Sequence, residues 1–169
     1  MAYTPTNPEA GVQPIAQAAA TGTVNHPLGT VVQAYDPTLG FGQFIYLYGV
    51  ASNTVGSLVT YNQLTGLTTL SPTTGNKAQP VAVSMNANTS ITTGSWYQIG
   101  GAAVIKKTAV KISPAVPLFL SATTGRVKAV ASAGLQLLNT ISVNAATVAS
   151  ATSTITAQIQ YPFIQGQIT

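Results

Sequence analysis

Charge is what this chain has least of. Only 5% of its 169 residues are Asp, Glu, Lys or Arg, against roughly 25% in an ordinary soluble domain. The carboxylate side chains are Glu9 and Asp36 alone, there is one histidine, His26, and there is no cysteine. Disulfides and thiol chemistry are therefore excluded. General acid–base catalysis draws mainly on His, Asp, Glu, Lys, Tyr or Cys with tuned pKa values, and a glycosidase needs two carboxylates flanking one bond. A metal site of the usual kind takes three or four His, Cys, Asp or Glu ligands, and these three residues are the whole supply. His26 and Asp36 precede many serines, but none of these sits in a recognisable nucleophile context. Gly75-Asn76-Lys77 lacks the spacing of a phosphate-binding loop, and Gly40-Phe41-Gly42 lacks the third glycine of a dinucleotide fingerprint. The expectation is a protein that is not an enzyme and uses no cofactor or metal.

Long apolar runs are also missing. No segment approaches the about 20 residues of a membrane-spanning helix, so no membrane contact is expected. Met1–Gly11 shows no basic region followed by an apolar one, so the cytoplasm of the producing cell is the expected location before assembly. The net charge of +4 reflects the scarcity of acids rather than an excess of bases. Nucleic-acid binders cluster Lys and Arg to displace counterions. Here the densest group is Lys106, Lys107 and Lys111, without an aromatic stacking partner nearby, so no nucleic-acid partner is expected. Asn88-Thr89-Ser90 fits a glycosylation sequon but reads as a turn.

What is present is Thr, Ser, Asn, Gln and Ala, with 46% hydrophobic residues. A monomer usually carries about 25–35% charged residues on its surface. The deficit points to a surface covered by partner subunits, since charge is depleted at interface cores.

Residues 1–27 differ from the rest. Pro5, Pro8, Pro14 and Pro27 favour extended backbone, and Tyr3, Val12 and Ile15 are too few to form a core. The segment reads as an extended N-terminal arm. One short helical turn could form at 15–20 but is too short to stand alone. From Leu28 to Thr169 the pattern is short alternating runs broken by Gly, Pro, Asn and Thr, the writing of strands and turns. Strands are expected at 30–35, 43–49, 57–61, 67–70, 80–85, 96–99, 102–110, 117–121, 126–131, 137–143 and 154–161. In Gln43–Gly49, Phe44, Tyr46 and Tyr48 share one face while Ile45 and Leu47 share the other, which fits a central strand or one lying under a partner. The Ala- and Val-rich stretch 143–151 reads as loop or strand. About ten short strands without amphipathic helices predict an all-β fold, a compact β-barrel or β-sandwich spanning 28–169.

Within Gly42–Ala109, the segments Phe44–Ala51, Val55–Tyr61 and Pro80–Met85, with Trp96-Tyr97-Gln98-Ile99 followed by Gly101 and Ala103, carry a family likeness. Together they resemble the head decoration, or cement, proteins encoded beside the major capsid gene in many tailed bacteriophages. Leu118-Phe119-Leu120 and Gly125-Arg126-Val127 are consistent with it. The resemblance implies a β-barrel or β-sandwich on the outer capsid surface of the virion. Such a protein bridges and stabilises neighbouring major capsid protein subunits, often as a homo-oligomer, a dimer or trimer. Candidate subunit or capsid contacts are Tyr3, Pro5, Pro8 and Pro14 in the arm and Tyr46, Tyr48, Trp96 and Tyr97 in the barrel. Trp96 and Tyr97 serve either as core or interface anchors or as a stacking platform for sugars. The platform reading belongs to the alternative function, a tail, fibre or adhesin-type module that binds host glycan.

Overall fold

The computed structural model describes residues 4, 5, 15, 24, 26–75, 77–88 and 90–167. Among them the chain forms eleven strands and no helix. These are β1 (Thr4–Pro5), β2 (Val31–Asp36), β3 (Gly40–Tyr48), β4 (Leu58–Tyr61), β5 (Thr68–Leu70), β6 (Val81–Ser84), β7 (Gly94–Lys106), β8 (Pro117–Leu120), β9 (Val127–Lys128), β10 (Gln136–Ser142) and β11 (Thr154–Ile164). The fold is all-β, and its strand pairs are antiparallel throughout.

The strands form one continuous curled sheet in the order β1-β2-β3-β7-β11-β10-β8-β9. A branch leaves β7 through β6 to β4 and β5. The curl brings Val127 of β9 back to Lys107, just past the end of β7, in a parallel bridge. The Thr108 N–H donates to the Val127 carbonyl at 3.0 Å there.

β7 is the central element. The sequence suggests two strands separated by Gly100-Gly101, but the chain runs through as one strand of 13 residues. β3 pairs with it from Gly94 to Gly101 along one edge. On the other edge β6 pairs at Tyr97 and Gln98, and β11 takes over from Gly100 to Lys106. The glycines provide a bend, not a break. Gln43 pairs with Gly100 while Phe44 pairs with Gln98, so Ile99 is the extra residue of a bulge. Gly101 has φ of +94°, and a Cβ there would run into the Phe41 carbonyl, so only glycine fits.

Burial follows this layout. One core fills the curl, with Val81 and Val83, Ala103 and Ile105, Leu118 and Leu120, Val127, Leu137, and Ile155, Ala157, Ile159 and Ile164 at its centre. β3 is buried on both faces, as its alternation suggests: Phe44 and Tyr46 join Trp96 and Met85, whereas Ile45 and Leu47 join Tyr97 and Ile99. Lys107 is 1% exposed. Its ammonium donates to the carbonyls of Val110 (2.8 Å), Thr108 (3.3 Å) and Ser150 (3.4 Å). Desolvation by this burial pushes its pKa below the ordinary lysine value.

The N-terminal segment 1–27 does not stand wholly apart. Thr4 and Pro5 pair with Tyr35 and Ala34 at the edge of β2. Ile15, expected to lie outside any core, is 1% exposed and packs in the cluster of Phe44, Tyr46 and Trp96. A sequence reading cannot see this, because the apolar face that Ile15 covers is supplied by strands far along the chain. The remaining helical turn expected at 16–20 lies outside the described residues.

Burying an isoleucine this fully predicts that Ile15→Ala destabilises the protein by about 2–4 kcal/mol. Urea unfolding followed by Trp96 fluorescence measures it. An unchanged midpoint would mean that the segment contributes nothing to the fold.

Candidate subunit interface

The aromatic contact residues read from the sequence divide sharply. Tyr46, Trp96 and Tyr97 are each 0% exposed, so none of them is a surface contact and Trp96-Tyr97 is not a platform for sugars. Tyr46 and Trp96 are cross-strand partners in a sheet covered on both faces, with ring centroids 5.0 Å apart. His26 caps the pair, 5.0 Å from Tyr46 and 5.5 Å from Trp96. Gly94 leaves the space that the Tyr46 hydroxyl occupies. Pro5 lies on the sheet edge, and Tyr3, Pro8 and Pro14 lie outside the described residues.

Tyr48 is the barrel residue that stays on a candidate surface. It is half-buried at the end of β3, where three loops gather. Its N–H donates to the Gly66 carbonyl (3.0 Å), and the next N–H, of Gly49, donates to the Thr93 carbonyl (2.7 Å). Its own carbonyl accepts from the Thr68 hydroxyl (2.8 Å) and the Tyr97 hydroxyl (3.1 Å). The end of β3 thus fastens the loops 49–56, 62–67 and 86–93. None of the three contains a charged residue.

Neutral hydrogen bonds tie these loops together. Asn53 is 2% exposed and Asn88 4%. The Asn53 amide donates to the Ser84 hydroxyl at 2.9 Å, and its carbonyl oxygen accepts the Asn88 N–H at 2.6 Å. The Asn88 side-chain oxygen in turn accepts from the Ser90 N–H and the Thr93 hydroxyl. Asn88 therefore organises a turn, as the sequence suggests, and a glycan has no access to it. In the loop 62–67 the Asn62 side chain accepts the Leu64 and Thr65 N–H groups at 2.9 and 3.2 Å. Such turns mimic backbone turns and fix the loop.

What these loops carry outward is apolar. Leu64 is 97% exposed, Ile91 61%, Leu67 52% and Val55 47%. Leucine and isoleucine at the tips of hydrogen-bonded turns are unusual, since turns are normally Gly, Pro, Asn, Asp and Ser. The nearest cation is Lys106, which donates to the Thr54 hydroxyl. The basic run is not a patch: Lys106 is engaged with this loop, Lys107 is buried, and Lys111 is exposed. Asp36, 5% exposed, accepts the N–H groups of Thr38 and Leu39 and shapes the β2–β3 turn. Among the described residues no three of His, Cys, Asp or Glu come together, and no helix is long and apolar enough to cross a membrane.

Sequence reasoning missed Leu64 and Ile91 because it treated the loops as connectors, and Leu67 because it was read as the first residue of the strand at 67–70, which begins at Thr68. The signal was present as apolar residues inside strings that otherwise consist of turn formers. Comparisons with protein-family models, with curated proteins and with solved structures find no match for the chain.

Burial pushes the Tyr97 hydroxyl up to about 12, from an ordinary value near 10. The folded state then holds the proton more tightly than the unfolded one between these values. This contribution to stability is fully present below pH 10 and is lost as pH rises towards 12, by about 2–3 kcal/mol. Denaturation midpoints between pH 9 and 12 test it: Tyr97→Phe should flatten the alkaline fall, and an equal fall in both proteins would refute the assignment.

Proposed function

We propose that this chain is a structural protein, a decoration or cement protein that binds the outside of a tailed-phage head and bridges major capsid subunits there. The carrying observation is the loop end around Tyr48: hydrogen-bonded loops with no charged residue of their own, bordered by Lys106, on which Leu64, Leu67 and Ile91 are exposed. Rigid apolar anchors lose little entropy on binding, and a rim of Thr, Asn and Ser completes hydrogen bonds without desolvating ions. Such contacts depend little on salt or pH, because few groups titrate. The likeness to decoration proteins read from the sequence of Gly42–Ala109 points to the same role. So does the charge content, which is low enough to suit a surface largely covered in an assembly. Protein that binds only the assembled lattice stabilises that lattice by mass action, and repetition over many sites compensates for weak individual contacts. A dimer or trimer of the chain would add to this multivalency.

The test is stoichiometric. Quantitative mass spectrometry of purified particles should find this chain at a simple ratio to the most abundant shell protein. The double variant Leu64→Asp, Ile91→Asp should bind stripped heads at least about tenfold more weakly, with its melting temperature little changed because both side chains are exposed. A few copies per particle, or none, would refute the role. Unchanged binding by a folded double variant would refute the surface.

A further inference from the structure

A second surface, built by strand register, has a different character. Gln33 of β2 pairs with Gln43 of β3, Gln43 with Gly100 of β7, and Gly100 with Gln160 of β11. This cross-strand row puts three carboxamides on one face with a glycine gap between them. In the neighbouring row Gln158 lies between Ala102 and Ile141. Two depressions, of about 510 and 550 Å³, share Gln158 and Gln160 and so form one trough. Its floor includes Gly42, Gly100 and Gly101. At one end stands Phe41, 66% exposed, with its ring 5.1 Å from that of Tyr35; at the other stands Tyr161, 52% exposed. No charged residue lines either depression.

From this arrangement we infer that the trough is a binding site for a neutral oligosaccharide. The carboxamides of Gln43, Gln158 and Gln160 each carry donors and an acceptor together, which matches sugar hydroxyls that also do both. The exposed rings of Phe41 and Tyr161 suit the apolar C–H faces of pyranose rings, and the Gln43 side chain, which lies over Gly100, can present its amide to a ring seated there. The absence of charge disfavours phosphates, nucleic acids and acidic polymers, which call for cationic contacts. An extended peptide added as a strand is disfavoured as well, because β3, β7 and β11 are already paired on both edges and have no free ladder to extend. The site is separate from the loop end around Tyr48 and does not depend on the capsid reading. It is also distinct from Trp96 and Tyr97, which are buried.

The experiment is an array of neutral and acidic oligosaccharides probed with the full-length protein, followed by calorimetric titration with the best neutral ligand. Binding should be confined to neutral glycans and should persist when salt is raised from about 0.05 to 0.5 M, a range that strongly weakens charge-driven binding. Gln43→Ala with Gln160→Ala, and separately Phe41→Ala, should each weaken it about tenfold or more. Because either change could disturb the sheet, chemical-shift mapping on the wild-type protein supplies a second readout, and the shifts should centre on Gly100, Gln158 and Gln160. The inference is overturned if no neutral glycan binds, if acidic glycans are preferred, or if the shifts map elsewhere. It is equally overturned if Phe41→Ala converts an oligomer to a monomer, which would make a second copy the occupant. Loss of particle binding in the Leu64 and Ile91 variant leaves this outcome untouched, so the two readings fail separately.

Discussion

A strand paired along both edges can serve two different neighbours on the same edge only if it bends where one hands over to the other. In β7 that point is Gln98–Gly101, where β6 leaves and β11 begins. The bulge at Ile99 supplies the bend, and the positive φ at Gly101 lets the backbone pass close to Phe41. Gln98 fixes it: its fully buried amide donates to the carbonyls of Gly100 (3.1 Å) and Ala102 (3.0 Å) on either side of the turn in direction. From here the branch β6-β4-β5 and the path β11-β10-β8-β9 diverge and wrap the main core between them. The same bend leaves Gly100 and Gly101 as the floor of the amide trough, while the β3–β7 pairing continues to Tyr48 and Gly94, where the loop end begins.

With charge so scarce, neutral hydrogen bonds do the work that ion pairs do elsewhere. The Asn53–Asn88–Thr93 chain joins loops that are distant in sequence. Each such bond is worth only about 0.5–1.5 kcal/mol net, but leaving a buried partner unsatisfied costs more, so the network penalises any other loop arrangement. Lys107 shows the same logic in a cation. A buried charge is costly, and this one is tolerated because three carbonyls take the place of its hydration shell. Two of them follow it in sequence and the third, on Ser150, belongs to the loop before β11. The lysine therefore ties that loop to the seam where Val127 closes the curl.

The strands were legible because alternation and turn residues are local signals. The two-sided burial of β3 could be read from Phe44, Ile45, Tyr46 and Leu47 in the same way. The sequence could not show that Gly100-Gly101 bends a strand rather than ending one, since glycine permits both. Nor could it show whether Tyr46, Trp96 and Tyr97 face solvent, because their cover comes from Ile15, His26 and other residues whose positions depend on the finished sheet. Of the four barrel aromatics named as contacts, Tyr48 alone remained at a surface, and for a backbone reason: its N–H and carbonyl fasten the loops. The trough was illegible altogether. Gln33, Gln43 and Gln160 are unremarkable until the register of four strands aligns them.

A surface without charge also gives up long-range steering, which speeds the encounter of charged partners by orders of magnitude. A protein of this kind must gain its affinity after contact, through fit and repetition. Under the proposed role, the hydrogen-bonded turns that carry the exposed apolar residues would meet that requirement. If the loop carrying Leu64 were floppy, ordering it would consume much of the energy its burial releases. The Asn62 turn, the Gly66–Tyr48 bond and the packing of Gly66 against Leu28 meet that entropic cost during folding instead. The amide trough is rigid for the same reason, since its residues stand on strands paired on both sides. Preorganisation is thus the property shared by two surfaces of unlike chemistry, and it is the one available to a chain that has almost no charge with which to attract a partner.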